Sequence, residues 1–259
     1  MNNQKISQQL NKLIKKYRCI KDTEGMSPAK VYKLVGENEN IYLKMTDSRY
    51  RGTTYDVERE KDIMIWLKGK LPVPEVLHFE QYGDWNFLLM SEIDGVMCLE
   101  ENPKKIVELY AECIKLFQSI DISDCPFNNN TNNRLAELNY LLTNNLADVN
   151  CENWEEDTPF IDPRELYDFL KVNKPREELA FSHGDLGDTN VLVRDNKISG
   201  FIDLGRSGKA DKWYDIAFCV RSIRDDMGEE KYVKLFFNLL GIEPDWEKIK
   251  YYILLDELF

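Results

Sequence analysis

Two hydrophobic rhythms follow one another along these 259 residues, and their order is what most restricts the fold. Up to Glu92 the rhythm is largely that of short strands. Val31–Val35 and Ile41–Thr46 flank the turn-forming cluster Gly36-Glu37-Asn38-Glu39-Asn40, which predicts a hairpin, and Val76–Gln81 with Asn86–Glu92 predict a second strand pair. Helical spacing appears at Ile6, Leu10, Leu13, Ile14 and Tyr17, and again over Asp56–Lys68, after which Pro72 and Pro74 break the chain. From Pro103 the rhythm becomes helical. Helices are expected over Pro103–Ser119, Arg134–Leu146, Pro163–Lys171, Lys212–Arg224, Glu229–Leu240 and Asp245–Leu258, interrupted by one β-rich island from Ala180 to Asp203. A strand-rich part followed by a helix-rich part implies an α+β fold of two lobes with a cleft between them. The expected division is 1–93, a linker at 94–97, and 98–259, with surface loops at Asn128–Asn133 and Asn150–Asp157.

A net charge of −12 with no basic stripe argues against nucleic acid and for a cationic or small-molecule partner. No apolar stretch approaches the roughly 20 residues that a membrane span needs. The polar, lysine-bearing start lacks the apolar block of a signal peptide, so the expected location is the cytoplasm. Six cysteines without a C-x-x-C pair read as reduced thiols, with Cys19 and Cys151 in polar, exposed surroundings that would allow an oxidised dimer. The expected state is a monomer, or a weak or disulfide-linked dimer.

The densest chemical signal is Ser182-His183-Gly184-Asp185-Leu186-Gly187-Asp188-Thr189-Asn190, followed by a hairpin whose second strand runs through Phe201 and Ile202 to Asp203. A tight loop and a hairpin end can bring three oxygen-bearing side chains to one point. Phosphoryl transfer needs such a set: a carboxylate to orient a hydroxyl and accept its proton, and hard oxygen ligands for Mg²⁺. The kinase catalytic loop H-R-D-L-x-x-x-N has the same spacing, read here as H-G-D-L-x-x-x-N. The bland alternative is a polar surface loop with a capping aspartate. His183 reads as a brace of the loop, since Ser182, His183 and Asp185 are too crowded for a hydrolase triad and no G-x-S-x-G elbow exists. Gly200–Ser207 has the outline of a phosphate loop with Arg206 for lysine, but its interior is an apolar strand.

Strand alternation places Tyr42 and Lys44 on one face and Ile41, Leu43 and Met45 on the other. An aromatic beside a lysine suits a flat base and an anionic phosphate tail. On the next helix, Val57, Glu60, Met64 and Leu67 form one stripe, so Glu60 interrupts an apolar face and calls for a cation, Lys44 by topology. Taken singly, either residue is better read as a solvated side chain; together with the downstream motif they read as a pair. Gly25-Met26-Ser27-Pro28-Ala29 could close over phosphates or be an ordinary turn. Carboxylates gather at Glu152, Glu155, Glu156 and Asp157, at Asp188, at Asp225, Asp226, Glu229 and Glu230, and at Asp256 and Glu257, with Arg206 and Arg221 among them to brace acids or touch phosphate. Each group is a solvated face unless the fold makes them converge, in which case they form a funnel for a polyamine-like substrate.

Four segments together resemble the aminoglycoside 3′-phosphotransferases, of the type III kind, nearly end to end: Asp22–Tyr32, Ser182–Asp188, Phe201–Arg206 and Leu254–Phe259. The segment near Glu100–Lys104 is shorter than the family's, and Asn128–Asn133 departs from it. The resemblance implies a protein-kinase-like fold with a five-stranded sheet in the first lobe and a helical insertion near 134–177 in the second. It implies ATP and two Mg²⁺ ions as cofactors and an aminoglycoside as substrate, phosphorylated at its 3′-hydroxyl or also at 5″, with antibiotic resistance as the result. By motif match, Lys44 holds the α and β phosphates and pairs with Glu60. Tyr42 stacks on adenine, the backbone at Ser91 and Ile93 bonds the base, and Met26 and Ser27 lie over the phosphates. Asn190 and Asp203 ligate the metal, and Asp185 is the base. The implied substrate residues are Glu152, Glu155, Asp188, Arg206, Arg221, Asp225, Asp226, Glu257 and Phe259, the last through its carboxylate. From the residues alone, another small-molecule kinase and a nucleotide-binding pseudokinase stay open. The presence of Lys44, Asp185, Asn190 and Asp203 argues against the second.

Overall fold

The computed structural model describes residues 6–23, 27–147, 149, 151, 154–155, 158–187 and 189–259. They form two compact units, Met1–Val96 with Leu192–Arg206, and Met97–Val191 with Ser207–Phe259.

The first unit is built on an antiparallel sheet of β1 (Arg18–Lys21), β2 (Lys30–Val35), β3 (Asn40–Asp47), β4 (Val76–Tyr82) and β5 (Trp85–Ser91), in the order β1-β2-β3-β5-β4. On the central strand β3, Ile41, Leu43 and Met45 are buried against Leu34, Phe87 and Leu89 and against Leu10 and Ile14 of α1 (Gln8–Ile14). Lys44 lies in register between Val31 and Leu88 on the other face. That face is covered by α2 (Val57–Leu67), whose cap, Asp56, accepts hydrogen bonds from the amides of Glu58 and Gly52 and from Asn86 Nδ2 at 2.8 Å. Capping satisfies backbone donors that the first helical turn leaves open. It also ties the start of α2 to β5, which fixes where Glu60 falls one turn later.

A second group of strands, β6 (Val96–Met97), β8 (Val191–Arg194) and β9 (Lys197–Phe201), lies in this unit except for Met97 and Val191. Asp195 and Asn196 both take positive φ in the turn between β8 and β9, as a two-residue hairpin with the proper twist demands. The sequence-based division assigned 192–206 to the second lobe, and the structure corrects it. A Cβ on Gly200 would stand 2.5 Å from Ile93 Cδ1 and 3.2 Å from the Pro72 carbonyl. The Phe201 amide donates to that same carbonyl at 3.0 Å. The strand therefore presses its backbone onto residues 72–93, an approach only glycine permits.

The second unit is helical: α3 (Pro103–Gln118), α4 (Thr131–Thr143), α5 (Pro163–Val172), α6 (Tyr214–Met227), α7 (Glu230–Leu240) and α8 (Trp246–Asp256). Helix α3 sends Val107, Tyr110, Cys113, Ile114 and Phe117 inward, and α6 packs on α3, α7 and α8. Two strands, β7 (Leu179–Ser182) and β10 (Gly208–Asp211), pair antiparallel, and β10 is an element the sequence reading missed. It is too short and polar to show alternation and is defined by its pairing with β7.

Asn128–Asn133 is likewise not a loose surface loop. Asn130 caps α4 by accepting from the Asn133 amide, Asn129 is buried, and the Thr131 amide and hydroxyl both donate to Glu177 Oε1 at 2.8 and 2.9 Å. The helix therefore begins at Thr131 and not at Arg134. Cys19 is exposed as expected, but Cys151 is half-buried, and all six cysteines are free thiols. No helix among the described residues is long and apolar enough to cross a membrane.

Candidate active site

Within the first unit the structure brings Lys44, Glu60 and Asp203 together. Lys44 Nζ stands 2.8 Å from Glu60 Oε2 and 2.6 Å from Asp203 Oδ1, with the Lys44 and Glu60 side chains only 10% and 4% exposed. Burial acts to lower the lysine's pKa, but the charges of Asp203 and Glu60 overcome it and hold the ammonium above its ordinary value. Burial also raises the Glu60 carboxyl, reinforced by Asp203 and opposed by Lys44 and by the Leu204 amide, which donates to it. Two carboxylates around one ammonium leave a net negative charge. Asp203 adopts φ 58°, a left-handed conformation that aspartate tolerates better than most residues, and its side chain remains 49% exposed. Helix α2 holds the following turn as well, since Arg59 Nε donates to the Gly205 carbonyl at 3.0 Å.

The other expected nucleotide residues of this unit take varied positions. Tyr42 is half-buried on the Lys44 face of β3, with Lys33 Nζ 5.7 Å from its ring centre. Ser27 is exposed between β1 and β2, and Met26 lies outside the described residues. The Ser91 amide already donates to the Glu75 carbonyl at 3.0 Å, so only its carbonyl remains for the base contact expected there. Ile93 packs its side chain on Gly200. Arg206 belongs to this unit and points its Nη2 at Tyr55 Oη, 3.5 Å away.

Within the second unit, Asp185 and Asn190 meet across the loop that follows β7. The Asn190 amide nitrogen donates to the Asp185 carbonyl at 2.8 Å and reaches its Oδ2 at 3.3 Å. This leaves the amide oxygen of Asn190 as an acceptor. The loop hangs from one carboxylate that sequence reasoning missed. Asp215, buried in the first turn of α6, accepts from Ser182 Oγ at 2.9 Å and from the amides of His183 and Gly184 at 2.8 and 2.9 Å. Burial pushes its carboxyl above the ordinary range against the pull of His183 and of those donors. His183 is fully buried against Phe117, and its carbonyl accepts from Ser207 Oγ at 2.8 Å, so it is part of the brace. A signal for Asp215 did exist: with Cys219 and Ile223 it forms a stripe at steps of four, so it interrupts an inward apolar face just as Glu60 does.

Several of the expected substrate residues also converge in the second unit. Arg221 Nη2 bonds Asp256 Oδ2 at 2.7 Å, and its Nε lies 3.9 Å from Glu155 Oε1. Glu257 Oε1 accepts from the Glu155 amide at 2.8 Å and from Thr158 Oγ1 at 3.1 Å. Arg221 thus braces acids, and Asp256 is a partner the site assignment had not included. Burial, and secondarily Glu155, raise the Glu257 carboxyl above its ordinary value. Glu155, Thr158, Arg221 and Asp225, together with Ile253 and Leu254, line a cleft of about 450 Å³. Asp225 and Asp226 are exposed at the end of α6, and Phe259 is half-buried with its ring under Arg134. Glu152 and Asp188 lie outside the described residues.

Hard oxygens are the donor set for Mg²⁺. The half-exposed Asp203 carboxylate of the first unit, in a cluster of net negative charge, and the Asn190 amide oxygen of the second are each a donor of that kind. No group of three or more His, Cys, Asp or Glu among the described residues forms a separate metal cluster.

Residues 20–252 match the model of the phosphotransferase enzyme family. An aminoglycoside 3′-phosphotransferase of Enterococcus faecalis is 77% identical over 98% of both chains, and one of Campylobacter jejuni is 48% identical over 92% of this chain and 96% of its own. Among solved structures, an aminoglycoside 3′-phosphotransferase of type VIII superposes with a TM-score of 0.80 at 24% identity, covering 96% of this chain and 97% of that one. An aminoglycoside phosphotransferase of Streptomyces rimosus, in complex with ADP and streptomycin, superposes with a TM-score of 0.80 at 22% identity, over 96% of this chain and 95% of its own.

Proposed function

Because this chain belongs to the phosphotransferase enzyme family, and within it to the aminoglycoside 3′-phosphotransferases, we propose that it transfers the γ-phosphoryl group of ATP to the 3′-hydroxyl of 2-deoxystreptamine aminoglycosides. The observation that carries this reading is the buried ammonium of Lys44 between Glu60 and Asp203. A lysine oriented from two sides can neutralise phosphate oxygens without the entropy loss of fixing a free side chain. Tyr42 offers its ring to the base, the Ser91 carbonyl and Ile93 backbone its edge, and Ser27 and Met26 cover the phosphates. The first unit, with 192–206, is in this reading the nucleotide-binding part.

Asn190 and Asp203 supply oxygens for two Mg²⁺ ions, which when bound offset the charge of the transferred group. Asp185 orients the acceptor hydroxyl and takes its proton onto a carboxylate oxygen. Asn190 and, through the backbone, Asp215 keep that carboxylate in place. Phosphoryl transfer asks little covalent chemistry of a protein, so positioning of this kind supplies most of the rate. The acids Glu152, Glu155, Asp188, Asp225, Asp226 and Glu257 receive the ammonium groups of the antibiotic, with Phe259 beside them. Arg221 keeps their mutual repulsion in check, and Arg206 sits near the phosphate. A chain of net charge −12 then favours a polycation over nucleic acid. Phosphorylation at 3′, and at 5″ where the substrate offers it, removes cationic fit to ribosomal RNA and gives resistance. In this reading the enzyme works in the cytoplasm as a monomer or a weak or disulfide-linked dimer.

ADP release in a coupled assay with kanamycin, neomycin, tobramycin and a non-aminoglycoside alcohol tests the proposal. Turnover is expected with the first two and not with tobramycin, which lacks the 3′-hydroxyl. Equal turnover of tobramycin would move the chemistry to another hydroxyl, and turnover of the control alone would refute the substrate class.

A further inference from the structure

Helix α4 carries an arginine that is almost wholly buried: Arg134 is 1% exposed. A guanidinium out of water needs strong partners to offset lost hydration. Its Nη2 donates to Tyr214 Oη at 3.1 Å, and its Nη1 lies 3.9 Å from Glu137 Oε2. Its carbon stands 3.7 Å from the ring centre of Phe259, so the chain's last aromatic ring is stacked on a desolvated cation, where such attraction is strongest. The Phe259 amide in turn donates to the Asp256 carbonyl at 3.0 Å. Docking the ring therefore fixes the turn that carries Asp256, the partner of Arg221, and Glu257, the acceptor of the Glu155 amide.

We propose that Arg134 is a positioning residue for substrate recognition: by stacking on Phe259 it holds the turn after α8 so that Asp256 and Glu257 keep their places in the cluster that receives the ammonium groups. The inference rests on the reading of Glu257 as a substrate residue, and Arg134 itself touches no substrate. Lysine would keep the charge but lose the planar face and the fork that serves ring and Tyr214 together. Leucine at 259 would fill much of the space but offer no quadrupole.

The test compares R134K, F259L, the double variant and E257Q for aminoglycoside KM, ATP KM and kcat, with amide hydrogen exchange over residues 255–259 as a second measurement. R134K and F259L are each expected to raise the aminoglycoside KM about 5–10-fold, the loss of one buried cation–π contact, and to leave the ATP KM unchanged. Both should speed exchange in the final turn, and the double variant should add little to either single one. E257Q raising the aminoglycoside KM while R134K and F259L leave it alone would overturn the role of Arg134. Multiplying effects in the double variant would overturn it too, because the two residues would then act separately. If E257Q leaves the aminoglycoside KM unchanged although R134K speeds exchange, the reading of this turn as substrate-facing falls, and the proposal with it. Should R134K fail to fold, F259L decides through exchange: unchanged exchange over residues 255–259 would overturn the role of Arg134, because the stacked ring would then not hold the turn.

Discussion

Replacing Lys44 by methionine removes the one cation between two carboxylates, and the consequence can be worked out from the distances. Methionine nearly matches the lysine stem, so packing between Val31 and Leu88 survives and the change is electrostatic. Glu60, 4% exposed, then keeps only the Leu204 amide and faces the repulsion of Asp203. Leaving a buried charge without its partner costs about 3–5 kcal/mol, and the lower end applies because half-exposed Asp203 can turn to water. The loss depends on pH. Without Lys44, the already raised Glu60 carboxyl moves further above its unfolded value. A carboxyl raised in the folded state favours folding below its unfolded pKa and loses that contribution as the pH rises through the folded value. K44M is therefore expected to be about 3 kcal/mol less stable than the parent at pH 8, and closer to it at pH 5, in urea unfolding without nucleotide. The double variant K44M/E60Q, with no buried charge left in the pair, should recover most of the loss at pH 8 while remaining inactive in ADP release. If it is no more stable than K44M, or if the deficit of K44M is the same at both pH values, the buried ion pair is not what holds this part of the molecule.

Asp185→Ala is expected to lower turnover roughly 10²-fold or more with little change in ATP affinity, measured by steady-state kinetics and nucleotide titration; near-normal turnover would remove Asp185 as the base. Asp215→Ala strands the Ser182 hydroxyl and the His183 and Gly184 amides in the interior. A stability loss of about 3 kcal/mol and a fall in kcat should appear together, and a variant stable but slow, or unstable but fast, would separate the brace from the chemistry. Since the Glu257 carboxyl lies above its ordinary range, it takes up its proton at a higher pH than a solvated glutamate. The aminoglycoside KM should therefore climb as the pH is lowered from neutrality while the ATP KM lacks that step, and E257Q should abolish the step. Added salt should likewise weaken the aminoglycoside more than moderate changes in its ring pattern do, as contacts between exposed charges are screened within about 10 Å at 0.1 M.

How much of this was visible before the fold was known depends on how local each signal is. Alternation along Ile41–Met45 put Lys44 opposite the core, and the stripe Val57, Glu60, Met64 and Leu67 put a carboxylate where only a cation could compensate it. Both are periodic patterns within a dozen residues, and the ion pair at 2.8 Å agrees with them. The spacing of Asp185 and Asn190 likewise lies inside one loop. Asp215 was legible by the same rule as Glu60 but went unused, because its partners are backbone amides and a hydroxyl more than thirty residues away.

Local order along the chain was enough to determine the α+β class, the hairpins, the helices and the identity of the charged residues that interrupt apolar faces. These follow from the periods of strand and helix, which each segment carries within itself. Tertiary structure alone decided that 192–206 joins the first unit, that a short polar strand pairs with β7, that Arg221 is committed to Asp256, and that Arg134 lies beneath the ring of Phe259. Each of those depends on segments remote in sequence meeting through backbone pairing or a single side chain, and no period along the chain records which remote partner a polar group will find.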